Sequence, residues 1–374
     1  MVKYCKWFKN ITYADESLVG KKAAVLADLQ KVNFPVPNGF VVTAEAYRDF
    51  VKARQLDKKI PEKLKTITNE NLRHVSQEIQ NLFLMSSLSA EMISEISEHY
   101  AYIDVAEELR DAPVSAFISS GRDSATVAIR SSAISSPFSH AVLNLNGSQN
   151  VTKGVLAFWA SLFSPEAISY RNQNNISYAD IDLALIVQRQ VNADKSGSAY
   201  LKDADTIALE AVWGMGKSFV VRNFDPTKIL LNKHTGQVVN YYKNEQPWML
   251  TKDLFNGKIV KKNIPAENKS SDIVTDKEFR VLSDLLIKVN EHLYHEQEVE
   301  WATEKNRVFL LQATQKKQIQ VPLGNESSVI PHQGDVKPAS QPEPEAPEEE
   351  HRPHPQEPTP VDRLEPYELL KFFE

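Results

Sequence analysis

The chain has 374 residues, of which 42% are hydrophobic and 25% charged, enough for two or three ordinary domains with a sizeable core. A net charge of −6 argues against a nucleic-acid-binding face, one cysteine excludes an internal disulfide or cysteine–zinc cluster, and no apolar run predicts a membrane span. Only 12 residues are glycine, about 3% where about 7% is usual, which argues against a glycine-rich loop that cradles phosphate.

Helical patterns dominate the first third of the chain. Apolar residues recur at helical spacing across residues 14–31, and the GKK segment at 20–22 falls inside that predicted helix. Thr43 has the position of an N-cap, with an acidic first turn after it. Ser89 is predicted to begin another helix, whose apolar face contains Met92, Ile93, Ile96 and Tyr100.

Strand patterns follow from about residue 126. They predict strands at residues 126–133, 182–191, 206–213, 228–232 and 238–242. Helices first and strands afterwards, without an internal repeat, indicate an α+β fold with a helical N-terminal part and mixed sheets.

The composition changes near residue 320. Beyond it lie 11 of the 20 prolines, interleaved with glutamates, so we predict a disordered linker at residues 321–361. Residues 362–374 carry an apolar patch, which indicates a docking peptide for a partner, a turn that folds back on the body, or a frayed end. The body is then 1–320, with subdomains at about 1–110 and 111–320.

The last predicted hairpin carries a possible metal site. Glu298 and Glu300 share one face of a strand, and a turn centred on Asn306 pairs Glu300 with Gln312. Their oxygens suit Mg²⁺, which takes few protein ligands and completes its shell with phosphate and water. A solvated face of an edge hairpin would carry the same residue types.

Three further positions fit nucleotide binding. Arg130 ends an apolar strand, where it would clamp a phosphate or form a salt bridge at the rim. Lys22 is either a phosphate ligand or part of a solvated helix face. Gln188 follows a buried strand that could present backbone groups to an adenine edge.

Taken together and in order, these segments resemble the N-terminal nucleotide-binding domain of phosphoenolpyruvate synthase and pyruvate phosphate dikinase. The resemblance covers about residues 11–315. Its matching blocks are VGKKAAVL at 19–26, PVPNGFVVTAEAY at 35–47, VAIRSSA at 127–133, FWASLFSPEAISYR at 158–171, VQRQV at 187–191, EAVWGMG at 210–216 and the hairpin at 298–312.

This resemblance implies an ATP-grasp-like fold that binds ATP and Mg²⁺ and transfers a phosphoryl group. It implies that Lys22 and Arg130 are the catalytic, phosphate-binding residues. The nucleotide contacts it implies are Lys22, Arg130, Gln188, Glu210 and Gln312, and the metal ligands are Glu300 and Gln312 with Glu298 beside them.

Departures from the family pattern leave three hypotheses open. The family's GGKG reads GKKA at 20–23, Thr314 replaces an arginine, Lys217 replaces an acid, and the loop at 138–142 is shortened. No phosphohistidine block follows residue 320, so one hypothesis is a phosphotransferase acting in trans on an unknown acceptor, a small molecule or a protein bound through the tail. The others are a nucleotide-binding pseudoenzyme with a regulatory or scaffold role, and an interaction protein without a nucleotide site. We expect no nucleic-acid partner and a cytoplasmic location, although non-classical secretion leaves no readable signal.

Overall fold

The computed structural model describes residues 3–104, 125–132, 141–178, 181, 183–216, 225–253 and 257–316. The chain divides into two units, Met1–Lys316 and Lys317–Glu374. The predicted linker and docking peptide lie outside the described residues, as do Lys217 and most of the shortened loop at 138–142.

The N-terminal part is helical apart from two short strands. The strands are β1 (Cys5–Trp7) and β2 (Gly39–Val42). The helices are α1 (Glu16–Val19), α2 (Lys21–Lys31), α3 (Ala44–Ala53), α4 (Leu56–Leu64), α5 (Leu72–Leu84) and α6 (Ala90–Ala101).

A five-stranded sheet joins this region to the middle of the chain. Its strand order is β1-β2-β5-β3-β4, and each neighbouring pair is antiparallel. The additional strands are β3 (Val127–Ser131), β4 (Ala141–Leu145) and β5 (Leu185–Arg189). Helices α7 (Ser148–Ser161) and α8 (Pro165–Gln173) connect β4 to β5, and α7 packs on β3 and β4.

A six-stranded sheet forms most of the C-terminal part, in the order β13-β12-β6-β7-β8-β9. Its strands are β6 (Lys195–Leu201), β7 (Thr206–Trp213), β8 (Thr227–Asn232), β9 (Val238–Tyr242), β12 (Gln297–Glu304) and β13 (Arg307–Gln315). Between β9 and β12 lie a hairpin, β10 (Trp248–Lys252) and β11 (Ile259–Asn263), and two helices, α9 (Ala266–Ser270) and α10 (Asp276–Leu293).

One face of the six-stranded sheet is closed by helices α2 and α10. Val299, Trp301 and Leu310 from the hairpin share a buried apolar cluster with Leu26 of α2 and Leu286 of α10. Because side chains alternate along a strand, the residues between them face the other side of the sheet. The helices therefore leave the opposite face, which carries Glu298 and Glu300, available for polar residues.

The α+β class is confirmed, and its details correct the predicted pattern in two respects. All strand pairs among the described residues are antiparallel, so the sheets are not mixed. The single helix predicted for 14–31 is broken at Gly20, whose φ of 78° is incompatible with a continuous right-handed helix.

Both predicted N-caps are followed by helices, but only one caps through its side chain. Ser89 Oγ accepts a hydrogen bond from the backbone N–H of Met92. The Thr43 hydroxyl instead donates to the backbone oxygen of Lys3. Ile93, assigned to the apolar face of α6, is 39% exposed. No helix among the described residues is long and apolar enough to cross a membrane.

Candidate functional site

A row of polar side chains crosses the open face of the six-stranded sheet. Glu300 of β12 pairs with Gln312 of β13 on one side and with Ser198 of β6 on the other. Ser198 pairs in turn with Glu210 of β7, which pairs with Lys228 of β8. Directly paired residues face the same side of a sheet, so five strands each contribute one polar residue to the row.

The predicted Glu300–Gln312 pair is present, but an irregularity in the hairpin produces it. At the turn, Lys305 and Asn306 have positive φ, and Trp301 pairs with Leu310. The register shifts by one residue between Trp301 and Glu300, which leaves Leu311 unpaired in a β-bulge. Without that extra residue Gln312 would lie on the helix-covered face, because a one-residue slip exchanges the faces of a strand.

Arg130 reaches the same place from the five-stranded sheet. It lies in β3, and its Nη1 is 3.4 Å from Glu300 Oε2. The two side chains are 20% and 28% exposed, so the pair is partly shielded from water. The rim salt bridge and the phosphate clamp considered for Arg130 are therefore compatible: the guanidinium has a protein partner and still reaches solvent.

The N-terminus of α2 is packed tightly against the end of β3. A Cβ atom on Gly20 would lie 1.5 Å from the backbone oxygen of Ser132, so only glycine fits there. The Ser132 Oγ accepts a hydrogen bond from the backbone N–H of Ala23 at 2.9 Å. These contacts fix the first turn of α2 beside the strand that carries Arg130.

Lys22 in that first turn lies close enough to Arg130 and Glu300 to interact with both. Burial lowers the pKa of the Lys22 ammonium; the Glu300 carboxylate opposes this shift and the Arg130 guanidinium adds to it. Among the described residues, no hydrogen bond or ion pair engages Lys22. Lys22 is thus a half-buried cation whose charge is only partly compensated by Glu300.

The amide of Gln312 is oriented by its neighbour on the strand. Its Nε2 donates to Thr314 Oγ1 at 2.9 Å, and no hydrogen bond to its Oε1 is present among the described residues. Gln312 is 8% exposed. Its carbonyl oxygen is therefore left beside the Glu300 carboxylate, as a ligand for a hard cation requires.

A two-oxygen site of this kind fits Mg²⁺, which usually keeps several water ligands and binds substrate phosphates. Glu298 lies one pair further along the hairpin, opposite Thr314 and Tyr200, on the same face as Glu300. The described part of the chain contains no group of three or more His, Cys, Asp or Glu side chains that could hold a metal by themselves. The described residues alone would thus supply few ligands, and water or phosphate oxygens would complete the shell of an ion bound there.

Arg130 and Glu300 lie at one end of a cleft between the two sheets. The space in and around this cleft, counted together with the open solvent at its mouth, is about 780 Å³. Its other end is lined mainly by apolar side chains and by two glutamines; the lining residues there include Ala128, Leu143, Gln188, Gln190, Ala193 and Met215.

Gln188 forms part of the cleft wall, although its groups are largely engaged. It is 2% exposed, and its Nε2 donates to the backbone oxygen of Pro37 at 3.2 Å. Strand β5 is flanked by β2 and β3, so its backbone groups bond within the sheet. Glu210, two strands from Glu300, instead accepts a hydrogen bond from Ser198 Oγ at 3.4 Å.

Sequence reasoning did not identify three residues that shape the site. Ser132 positions α2, Ser198 bridges Glu300 and Glu210, and Leu311 forms the bulge. Ser132, two residues after Arg130, was visible in the sequence, but its contact with Ala23 is a tertiary one. No local pattern reveals Ser198 or the bulge.

A family model described as the AMP/ATP-binding domain of pyruvate phosphate dikinase matches residues 16–328. The probable phosphoenolpyruvate synthase of Methanocaldococcus jannaschii is 30% identical over 328 residues, covering 83% of this chain and 26% of the relative. That of Methanothermobacter thermautotrophicus is also 30% identical over 328 residues, covering 84% of this chain and 46% of the relative. The chain thus spans about a quarter to a half of the length of these relatives.

Two solved structures show only distant similarity. A D-alanine-D-alanine ligase from Coxiella burnetii has 9% sequence identity and a TM-score of 0.23, covering 50% of this chain and 35% of that protein. The D-alanyl-alanine synthetase A of Vibrio cholerae has 11% identity and a TM-score of 0.23, covering 66% and 56%. Similarity at this level does not indicate a function.

Proposed function

The chain belongs to the pyruvate phosphate dikinase AMP/ATP-binding domain family, and from this premise we propose that it transfers a phosphoryl group from ATP to an acceptor outside these 374 residues. One observation carries the proposal. Lys22, Arg130, Glu300 and Gln312 come from α2, β3, β12 and β13 and lie close together, and Arg130 and Glu300 also line the cleft.

The two cations would bind the phosphates. The Arg130 guanidinium presents several N–H donors in a fixed plane, which suits a phosphoryl group, while the Lys22 ammonium acts as a point charge. Their partial burial strengthens these interactions relative to water, because the local dielectric is lower. Phosphoryl transfer depends mainly on positioning and charge neutralisation, so the site requires no protein nucleophile of its own.

Glu300 and Gln312 would hold a Mg²⁺ ion through one carboxylate and one amide oxygen. When bound, that ion would neutralise charge on the transferred phosphoryl group. Glu298, on the same face, would accept hydrogen bonds from water in its shell. Thr314 would keep the Gln312 amide in the orientation that presents oxygen to the metal.

Gln188 and Glu210, the remaining nucleotide contacts that the resemblance implies, have different roles in this proposal. Gln188 would form part of the wall against the adenine, through its side chain rather than its backbone. Glu210 shares the polar row with Glu300 and would reach the nucleotide from two strands away, about 10 Å along the sheet.

The nature of the phosphoryl acceptor is a separate proposal. The relatives are named phosphoenolpyruvate synthases, and this chain corresponds to part of their length. We propose that the phosphoryl group passes to a group supplied in trans, on a partner protein or a small molecule. The predicted docking peptide at 362–374 is the candidate for recruiting a protein acceptor.

Titration calorimetry with Mg²⁺ and ATP, followed by mass spectrometry of the nucleotide products, tests the proposal. Binding together with turnover to AMP would support dikinase-type transfer, and ADP would indicate an ordinary kinase. Glu300→Gln should abolish turnover, whereas Glu291→Gln, an exposed acid on α10, should leave it unchanged. Absence of ATP binding by the folded protein would refute the proposal.

A second candidate is a nucleotide-binding protein without transferase activity. The ion pair between Arg130 and Glu300 favours it, because the guanidinium already neutralises the carboxylate that the metal requires. This candidate predicts ATP binding that EDTA does not weaken and that leaves the nucleotide intact. Binding that requires Mg²⁺, with product formation, would exclude it.

A further inference from the structure

The contact between Arg130 and Glu300 is longer than a strong hydrogen bond between charged groups. Arg130 Nη1 and Glu300 Oε2 are 3.4 Å apart, whereas such bonds are usually about 2.7–2.9 Å long. Among the described residues, neither side chain has a second hydrogen bond or ion pair. A guanidinium has several N–H donors and a carboxylate has two oxygens, so each group keeps most of its capacity for other partners.

Two different cations can use the Glu300 carboxylate. In the proposed function Glu300 and Gln312 hold Mg²⁺, whereas in the structure Arg130 contacts an oxygen of that same carboxylate. Mg²⁺ binds its ligands at about 2.0–2.1 Å and carries two charges, so it repels a guanidinium in contact with the same carboxylate. Arg130 therefore competes with the metal for Glu300.

The charges around Glu300 strengthen this competition. Lys22 also interacts with both Arg130 and Glu300, so a single carboxylate is shared by two cations. The Arg130 and Glu300 side chains are only 20% and 28% exposed, and partial shielding from water increases the repulsion between like charges. A divalent cation is disfavoured at Glu300 until anionic oxygens offset this excess of positive charge.

We propose that Arg130 exchanges partners, from the Glu300 carboxylate to a phosphate, and that this exchange couples metal binding to nucleotide binding. When Arg130 donates to phosphate it leaves Glu300, whose oxygens are then available to the metal. When Glu300 holds the metal it releases Arg130, which then donates to phosphate. By thermodynamic linkage, each ligand strengthens the binding of the other. This inference rests on the proposed function, because it requires Glu300 to bind metal and Arg130 to bind phosphate.

Mn²⁺ binding to the full chain in the absence of nucleotide tests the competition at Glu300. Mn²⁺ takes the same oxygen ligands as Mg²⁺, and the EPR signal of the free ion measures how much is bound. Arg130→Met removes the competing guanidinium, so Mn²⁺ should bind about tenfold more tightly than to the native protein. Adding Glu300→Gln to this variant should abolish the gain, because the carboxylate is then lost as well.

Two control variants separate loss of this contact from loss of positive charge alone. Lys22→Met removes a nearby cation that forms no ion pair in the described part of the chain, so Mn²⁺ affinity should rise by only about threefold. Arg280→Met, at an exposed position of α10, should leave Mn²⁺ affinity unchanged. Equal gains in Lys22→Met and Arg130→Met would assign the effect to charge repulsion and overturn the exchange.

Calorimetric titration with ATP in EDTA tests the other half of the exchange and does not depend on the folding of Arg130→Met. Glu300→Gln removes the carboxylate that holds Arg130, so metal-free ATP should bind about tenfold more tightly than to the native protein, although turnover is lost. Glu298→Gln removes a charge from the same sheet face but leaves Arg130 its Glu300 partner, so the gain should be only about threefold. Unchanged or weaker binding of metal-free ATP to Glu300→Gln would contradict the exchange.

The outcomes also separate this inference from the proposed function. A native protein that binds no ATP refutes both. If the native protein binds and turns over ATP, but Arg130→Met and the native protein bind Mn²⁺ equally, the exchange is refuted and the proposed function stands.

Discussion

Gly20→Ala is the substitution that most directly tests how the site is assembled. The backbone of Gly20 has φ 78° and ψ 154°, a region that residues with a side chain avoid at a cost of about 1–3 kcal/mol. In addition, the new Cβ would lie 1.5 Å from the backbone oxygen of Ser132. Helix α2 would have to move away from β3 by about 2 Å to restore ordinary van der Waals contact.

That movement would break the bond from the Ala23 N–H to Ser132 Oγ and leave a buried donor without a partner, which costs about 1–3 kcal/mol. The total loss for Gly20→Ala is therefore about 2–6 kcal/mol. This is a large part of the stability of a typical domain. Because Lys22 would move with the helix, ATP affinity should fall as well.

Gly147→Ala is the matched control. Gly147 has φ 86° and ψ 140° and also precedes a helix, but a Cβ there would meet nothing within 4 Å among the described residues. The free energy of unfolding of this variant should fall only by the conformational cost of about 1–3 kcal/mol, and its ATP affinity should not change. Urea denaturation followed by tryptophan fluorescence, with calorimetry for ATP, measures both. Equal destabilisation of the two variants, with unchanged binding in each, would refute the reasoning.

Three further predictions concern Thr314, Lys22 and Ser132. Thr314→Val removes the acceptor that orients Gln312, so Mg²⁺-dependent ATP binding should weaken by about tenfold in calorimetry, while binding in EDTA should not change. Burial lowers the pKa of Lys22 and a bound phosphate would raise it, so ATP affinity should fall as pH rises through the lowered pKa. Proton uptake on binding, measured in buffers of different ionisation enthalpy, should therefore appear at alkaline pH and vanish in Lys22→Arg. Ser132→Ala leaves the Ala23 N–H buried without its acceptor and should lower the free energy of unfolding by about 1–3 kcal/mol in urea titration.

Each of these variants has a control that isolates its contact. Thr314→Ser retains a hydroxyl and should bind as the native protein does; weakening equal to that of Thr314→Val would contradict the prediction. Lys288→Arg, at an exposed position of α10, should keep the native proton uptake. If Lys22→Arg keeps it as well, Lys22 is not the group that takes up the proton. Exposed Ser87→Ala should be almost neutral, and Ser132→Ala must be clearly more costly than that.

The hairpin illustrates how far sequence pattern reaches. Alternating residues and an obvious turn were enough to predict that Glu300 and Gln312 are opposite each other, and the register confirms that pair. The prediction was correct through two compensating differences: the turn is centred half a residue earlier than assumed, on Lys305 and Asn306, and the bulge at Leu311 restores the register. Local periodicity cannot reveal a bulge that depends on which face the helices cover.

Other features escaped prediction because they are tertiary. The apolar pattern continues across Gly20, so nothing nearby in sequence marks the end of α1; the close approach of Ser132 explains why glycine is needed there. Similarly, the scarcity of glycine argued against a phosphate-binding loop, and the end of the cleft where we propose that phosphate binds is formed by side chains on regular elements. The partner of Arg130, Glu300 on the other sheet, became visible only in the structure.

The polar row across the six-stranded sheet also bears on the order in which the protein folds. Strands β6 to β9 and the β12–β13 hairpin are connected locally, but Ser198 and Glu300 pair across about 100 residues of chain. Lys22 and Arg130 join Glu300 from even more distant segments. Contacts of such long range form slowly, since closing large loops costs entropy before the contacts stabilise the chain. Recovery of nucleotide affinity during refolding should therefore lag behind recovery of helix content, and it would report the completion of the native fold.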